Sequence, residues 1–455
     1  VQYPGSNHTL LSLPLLLLGS LALTGCPSDD GGNEEVGTES TSTDGGTDTG
    51  DTSTGETDTG TGTDTTGNEM PAHCEGAAAW ISPTGDDYEA IQGLLSEAAE
   101  GDILCFDAGT YGNLHSEIIL SVNNVTVRGA GMDESILDFD AQTDGGNGIK
   151  IVSDGVTFQD FQVKNTPGDG IRGDQIDDVT FERVKVLWED EDPTLHGAYG
   201  LYPVGCNNVS IIESVVVGSR DAGHYVGQSN NVLVRDSIAY ENVAGVEIEN
   251  CNDAWVFNNE AYDNTAGLLV FDLPGLEQGD GSNTRFYDND LHDNNHENFA
   301  IGGTVAQVPA GSGVVILAAN NIEVDGNTID NHESVGVLII HYAELLFGEV
   351  NDPTFDIYNR GVYIHDNAFT QTGANPDAMI LGFIGQGPGP EILWDGVKPD
   401  CAPDFMPGEE ICAQNNTSDD TVDYYNLDFC GNLQNPTTDI SEVDCVGPML
   451  PDWGG

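Results

Sequence analysis

The stretch Arg220-Asp221-Ala222-Gly223-His224-Tyr225 places a guanidinium, a carboxylate, an imidazole and a phenol close together in the chain. An imidazole titrates near neutral pH, and a neighbouring carboxylate and cation tune it, so such a grouping suits proton transfer. On that chemistry His224 is the candidate acid or base, with Asp221 and Arg220 as its partners. The competing reading makes His224 a core residue bonded to a backbone carbonyl. A second set, Glu247, Glu249 and Asp272, offers oxygen ligands of the kind that hold Ca²⁺, or a carboxyl pair of the kind that hydrolyses glycosides. Acidic side chains number 77 against 11 basic ones, so a carboxylate pair alone is weak grounds for a site.

What must position these residues is a repeat. Two Asn or Asp followed by apolar-x-apolar recur at Asn123, Asp177, Asn207, Asn230, Asn252 and Asn320. A Gly-apolar-x-apolar motif begins at Gly148, Gly170, Gly200, Gly223, Gly245, Gly267, Gly313, Gly336 and Gly361. The two motifs keep a constant phase, and a unit this short cannot bury an apolar face alone, so it must stack on copies of itself. The fold expected is all-β: a right-handed, single-stranded parallel β-helix over residues 71–373, each unit one coil, with an N-terminal capping helix over Tyr88 to Ala99. Leucine-rich repeats share the period but need a denser leucine frame.

Counting from each Gly, the first and third following residues point inward and the second and fourth outward. His224 is therefore inward. The outward row contains Lys150, Arg172, Tyr202, Tyr225 and Glu247, with Glu249 two residues on and Asp272 at the edge; the same count places Tyr363 and His365 in these rows. Coils lie about 4.8 Å apart, so Arg172, Tyr202, Tyr225, Glu247, Glu249 and Asp272 form one expected substrate-binding patch, with the two tyrosines as a flat platform. Glu247, Glu249 and Asp272 are its expected metal ligands. Inserted stretches at "EDEDPTLH" and "LPGLEQGDGS" bracket it as a groove over coils 200–272.

These repeats, with "DDYEAIQGLLSEAAEGDILCFDAGTYGN" before them, resemble the pectate-lyase-like β-helix superfamily over roughly residues 82–370. "GLYPVGCNNVSI" and "NVAGVEIENCNDAWVFNN" resemble a family of exported β-helix repeat proteins without assigned activity, and that resemblance implies an envelope partner such as a c-type-cytochrome-like protein. Alginate-epimerase-like enzymes carry Asp-Pro-His-Asp, whereas this chain has Asp192-Pro193-Thr194-Leu195-His196, a broken match.

The formal charge of −66 excludes nucleic acid as a natural partner, because duplex affinity rests on Lys and Arg. Residues 10–23 are apolar but shorter than a bilayer span, and they end in Leu23-Thr24-Gly25-Cys26, which resembles a lipobox. Residues 1–25 thus read as a lipoprotein signal peptide without a basic start, and Cys26 as the lipidated residue, the membrane being reached through that anchor alone. Residues 26–70 read as a disordered Asp/Thr/Gly-rich tether; residues 374–455, which gain Pro and Cys, read as a C-terminal cap.

The even cysteine count after Cys26 suggests disulfides in an exported chain. The expected pairs are Cys74–Cys105, Cys401–Cys412 and Cys430–Cys445, with Cys206 and Cys251 reduced and buried, Ser229 between them. His292, His296, His332, His341 and His365 read as single histidines in or near turns. Two functions compete: a cell-surface lipoprotein binding polysaccharide or a protein partner, and a lyase, epimerase or hydrolase acting on such a glycan.

Overall fold

The computed structural model describes residues 69–454; the apolar run, Cys26 and nearly all of the tether fall outside the described residues. The strands that follow the Gly motif form one parallel sheet of 11, from Ser116–Leu120 to Tyr424–Asn426. A second sheet of 20 strands makes the other two sides of each coil. Its two ladders are fused where Thr157–Lys164 and Asp177–Leu187 run through a corner without a break. Every pairing between named strands is parallel, as in Tyr225↔Glu247↔Leu269↔Val315 along the glycine sheet.

Each motif has a backbone cause. A Cβ on Gly200 would meet Val216 at 2.3 Å and the carbonyl of Gly223 at 2.7 Å, so coils close up at this corner only over glycine. The second residue of the Asn-Asn motif sits at positive φ, 57° at Asn208, Asn231 and Asp253, a conformation that Asn and Asp tolerate best. A further row was not read from the sequence: Asn259, Asn289, Asn327, Asn367 and Asn416 stack, each of the first four giving its backbone N–H and its amide N–H to the next Oδ1 at 2.9–3.0 Å. Buried corners are thereby hydrogen-bonded at every level, which an apolar interior requires.

The interior is one continuous apolar cluster including Leu201, Val246 and Leu268. The capping helix runs Tyr88–Ser96 and seals the first coil with Ile91 and Leu95. The buried Asp87 carboxylate before it accepts from the backbone N–H of Thr84, Gly85 and Gly112. Beyond Gly373 the ladders continue through Ile392–Trp394, Ile411–Gln414 and Tyr424–Asn426.

Three expectations are corrected. Gly361 does not join the glycine corner: Arg360 pairs with Asn320, so Gly361, at φ 63°, takes the left-handed place of Asn321. Tyr363 and His365 consequently lie on the second sheet. Cys74–Cys105 forms as expected, but the other bridges are Cys401–Cys430 and Cys412–Cys445. All three join residues about one coil apart in sequence, with separations of 29 to 33, because such residues lie above one another. Cys206 and Cys251 are reduced and buried, and the Ser229 hydroxyl oxygen accepts from the backbone N–H of Cys206.

The histidines are not isolated either. His332 is wholly buried and ends a ladder of Asn242, Asn264 and Asn294. His341 pairs with Asp395, His292 with Asp293 and Glu260, and His365 with Glu323 and Asp366.

Candidate functional site

Lys150, Arg172 and Tyr202 occupy one row of the glycine sheet, and Tyr225 and Glu247 continue it. The side chains point outward as expected, but the far half of this face is not open. From Leu269 onward the row is apolar, and Leu269, Phe271, Val315, Leu317, Leu338 and Ile340 pack beneath Val305, Val308, Tyr342 and Ile380 as a second buried cluster. The cover begins over the expected patch, leaving Tyr202 8%, Tyr225 3%, Glu247 3%, Glu249 7% and Asp272 2% exposed. The open half holds Lys150, Arg172 and Asp174, all partly exposed, with Ile119 and Val152 beside them.

At the step between the halves the rings of Tyr199, Tyr202 and Tyr225 cluster with centroids 4.4–4.9 Å apart. Tyr202 and Tyr225 have the expected spacing but meet at 73°, edge to face, which is the arrangement ring quadrupoles favour. They make a wedge, not a flat platform. The Arg172 guanidinium lies 5.0 Å from the Tyr202 ring and 3.4 Å from Asp174, and Lys150 reaches the same carboxylate at 3.9 Å. On the covered side of the step Tyr225 donates to Glu249 at 2.8 Å. Burial, then the charge of Glu249, holds the Tyr225 phenol well above its usual pKa, so it stays a donor.

Two residues of this site were missed. Tyr199 and Asp169 each precede a motif Gly, at a position the register left unread, although Asp169 and Tyr199 are the large polar members of a row that continues as Ala222, Ala244 and Ala266. Burial raises Asp169 to about 7 against the opposing pull of Arg172, a backbone bond from Tyr199, and Arg220. A carboxyl poised there can exchange a proton near neutrality.

His224 faces the interior between Leu201 and Val246, and its Nε2 bonds the carbonyl of Ile238 at 3.1 Å. Burial lowers its pKa to about 4, which keeps the ring neutral. It lies on the opposite side of its strand from the outward Tyr225. Arg220 donates from Nε to the carbonyl of His196 at 2.7 Å, and Asp221 is half-buried at the strand entrance.

The oxygens of Glu247, Glu249 and Asp272 do not converge to within 4.8 Å of one another, and Glu249 already accepts from Tyr225. They do not fit a Ca²⁺ site, which needs six to eight converging oxygens. Asp272 instead sits near Asp280, Glu249 and Asp356, and burial first, then these charges, raises it well above the usual carboxylate range. Among the described residues Glu323, Asp325 and His365 do converge. There the Arg285 guanidinium, 2.9 Å from Asp325 and 3.6 Å from Glu323, already supplies the cation.

The family model for the right-handed β-helix region matches residues 114–272 and 169–351. The chain belongs to the right-handed β-helix family. No curated protein matches it. Among solved structures it is similar to the A-module of the mannuronan C-5 epimerase AlgE4 of Azotobacter vinelandii, at 18% identity and a TM-score of 0.51, covering 75% of this chain and 94% of that one. The AlgE6 A-module of the same organism follows at 19% and 0.47, covering 75% and 96%. Pectate lyase Pel9A stands at 13% and 0.41, covering 76% and 77%. At such identities the likeness to this β-helix is one of fold, and function has to be argued from the site.

Proposed function

We propose that this is an exported, lipid-anchored β-helix protein that binds a polysaccharide along the open half of the glycine sheet. One observation carries the reading: Arg172 and Lys150, two of the chain's 11 basic residues, stand beside a tyrosine wedge where an open face meets a covered one. A sugar carboxylate would pair with the guanidinium, whose planar fork suits that group, with the sugar ring lying against the tyrosine wedge. The AlgE4 neighbour is by its name a mannuronan epimerase, which supports a glycan of this kind. Three disulfides support export, and Cys26 would be the anchor, ahead of a tether spanning 26–70. Glu247, Glu249 and Asp272 would form the floor beneath the covering loops and not a metal site.

A second reading, turnover of the bound chain, is favoured by Asp169, a carboxyl held near neutrality beside Arg172 and Tyr199. On this reading Asp169 transfers the proton, and His224 takes no part. Docking of an envelope protein such as a c-type-cytochrome-like partner draws on family resemblance alone.

Affinity electrophoresis through gels cast with polyuronates or neutral glycans tests the proposal. Retardation by a polyuronate that Arg172→Ala abolishes supports it; equal mobility in every gel overturns it. Absorbance of unsaturated uronate product, and its loss in Asp169→Asn, separates turnover from binding.

A further inference from the structure

Residues 446–454 run back along the outer face of the second sheet, across Tyr363, Glu323, Arg285 and Trp255, which stand above one another in successive coils. Gly447 lies so close to Tyr363 that a Cβ there would be 2.5 Å from the tyrosine Cβ. The Leu450 N–H is held by Glu323, and the Leu450 carbonyl accepts from Arg285 at 3.3 Å. Trp255 donates from Nε1 to the carbonyl of Pro451 at 2.8 Å. Arg285 also holds the Asp452 carboxylate at 2.7 Å, and Trp453 meets the Trp255 ring edge-on at 5.1 Å. Arg285 is itself fixed by two bonds of 2.9 Å to Asp325.

We propose that this strip of the outer face is a peptide-binding site, filled in cis by Leu450-Pro451-Asp452-Trp453, which takes an extended segment of a partner protein carrying a carboxylate followed by an aromatic ring. The strip reads two backbone carbonyls, a backbone N–H, one carboxylate and one ring. The segment that fills it leaves Met449 71%, Val446 69% and Trp453 37% exposed. It is seated on the sheet and does not belong to the core. Replacing it in trans needs no rearrangement of a coil. The Cys412–Cys445 bridge anchors the segment at its start, so it acts as a tethered competitor at an effective concentration near the millimolar range.

The test uses the full chain carrying Asp452→Ala and Trp453→Ala, which removes both side-chain anchors at exposed positions, and a fluorescent peptide of residues 446–455 read by anisotropy. The variant is expected to bind the peptide saturably, the unaltered chain at least about tenfold more weakly because its own segment competes. Adding Arg285→Ala to the variant, or Asp452→Ala to the peptide, should abolish binding. No saturable binding by a variant that melts like the unaltered chain overturns the proposal and leaves an intramolecular clamp. Binding indifferent to Arg285 overturns it as well.

Discussion

Tyr225 gives its hydroxyl proton to Oε1 of Glu249 at 2.8 Å, tying one coil to the next on the outer face of the glycine sheet. The pair is buried, so its loss is felt in stability before it is felt in binding. Tyr225→Phe should cost about 1–3 kcal/mol, the range for losing a buried hydrogen bond to a carboxyl acceptor. Tyr225→Ala should cost about 3–5 kcal/mol, as for other buried aromatics. Urea unfolding measures both, and an unchanged midpoint for Tyr225→Ala would mean that this face is open.

Arg172 behaves differently. Its side chain is 31% exposed and its ion pair with Asp174 is a surface one, worth about 1 kcal/mol or less. Arg172→Ala should therefore melt within a few degrees of the unaltered chain while losing retention on polyuronate. Because the chain's charge of −66 repels a polyanion at long range, affinity should rise as salt is added from about 10 to about 150 mM, where the Debye length shortens to about 8 Å. A fall over that range contradicts the proposed site.

His224 and His332 are buried neutral, burial lowering them to about 4 and about 3, while in the unfolded chain each titrates at about 6.5. Their folded values are depressed, so the unfolded state takes up protons first. Stability is full above about pH 6.5 and declines as pH falls toward the folded values. His224→Leu, matching Leu201 in the same inward row, should flatten the melting temperature between pH 6.5 and about 4. Asp169 and Asp272, both raised, titrate in the opposite sense, so the difference between variant and parent is the quantity to read.

Peptide mapping without reductant should recover Cys74–Cys105, Cys401–Cys430 and Cys412–Cys445. Replacing Cys412 and Cys445 by Ser should cost about 2–5 kcal/mol. Cys206, whose thiol burial pushes up to about 11, and Cys251, raised further, should react with a thiol reagent only after unfolding.

Cys26→Ala should lose incorporation of labelled fatty acid. Labelling that persists in the variant would show that Cys26 is not the lipidated residue.

The coil was legible because Gly200 and Asn208 answer to the backbone itself: one permits close approach, the other a left-handed turn. Gly361 misled for the same reason, since glycine satisfies either demand. The direction of Tyr202 and Tyr225 was legible from alternation, but their burial depended on loops such as those bearing Val305 and Tyr342, which alternation says nothing about. A hint was present in Leu269, Val315 and Leu338, an outward row too apolar to face water. Tyr199 and Asp169 escaped because counting began at the glycine after them. Cys74–Cys105 was legible, but the two C-terminal bridges were not, because joining cysteines near in sequence ignores that a solenoid brings together those one turn apart.

The asparagine ladder from Asn259 to Asn416 has a consequence for length. Each rung touches only the coil above and the coil below, so a whole turn can be removed or duplicated and the two cut ends meet with the same donors and acceptors. A fraction of a turn cannot. The molecule is thus counted in whole coils, each worth about 4.8 Å along the axis.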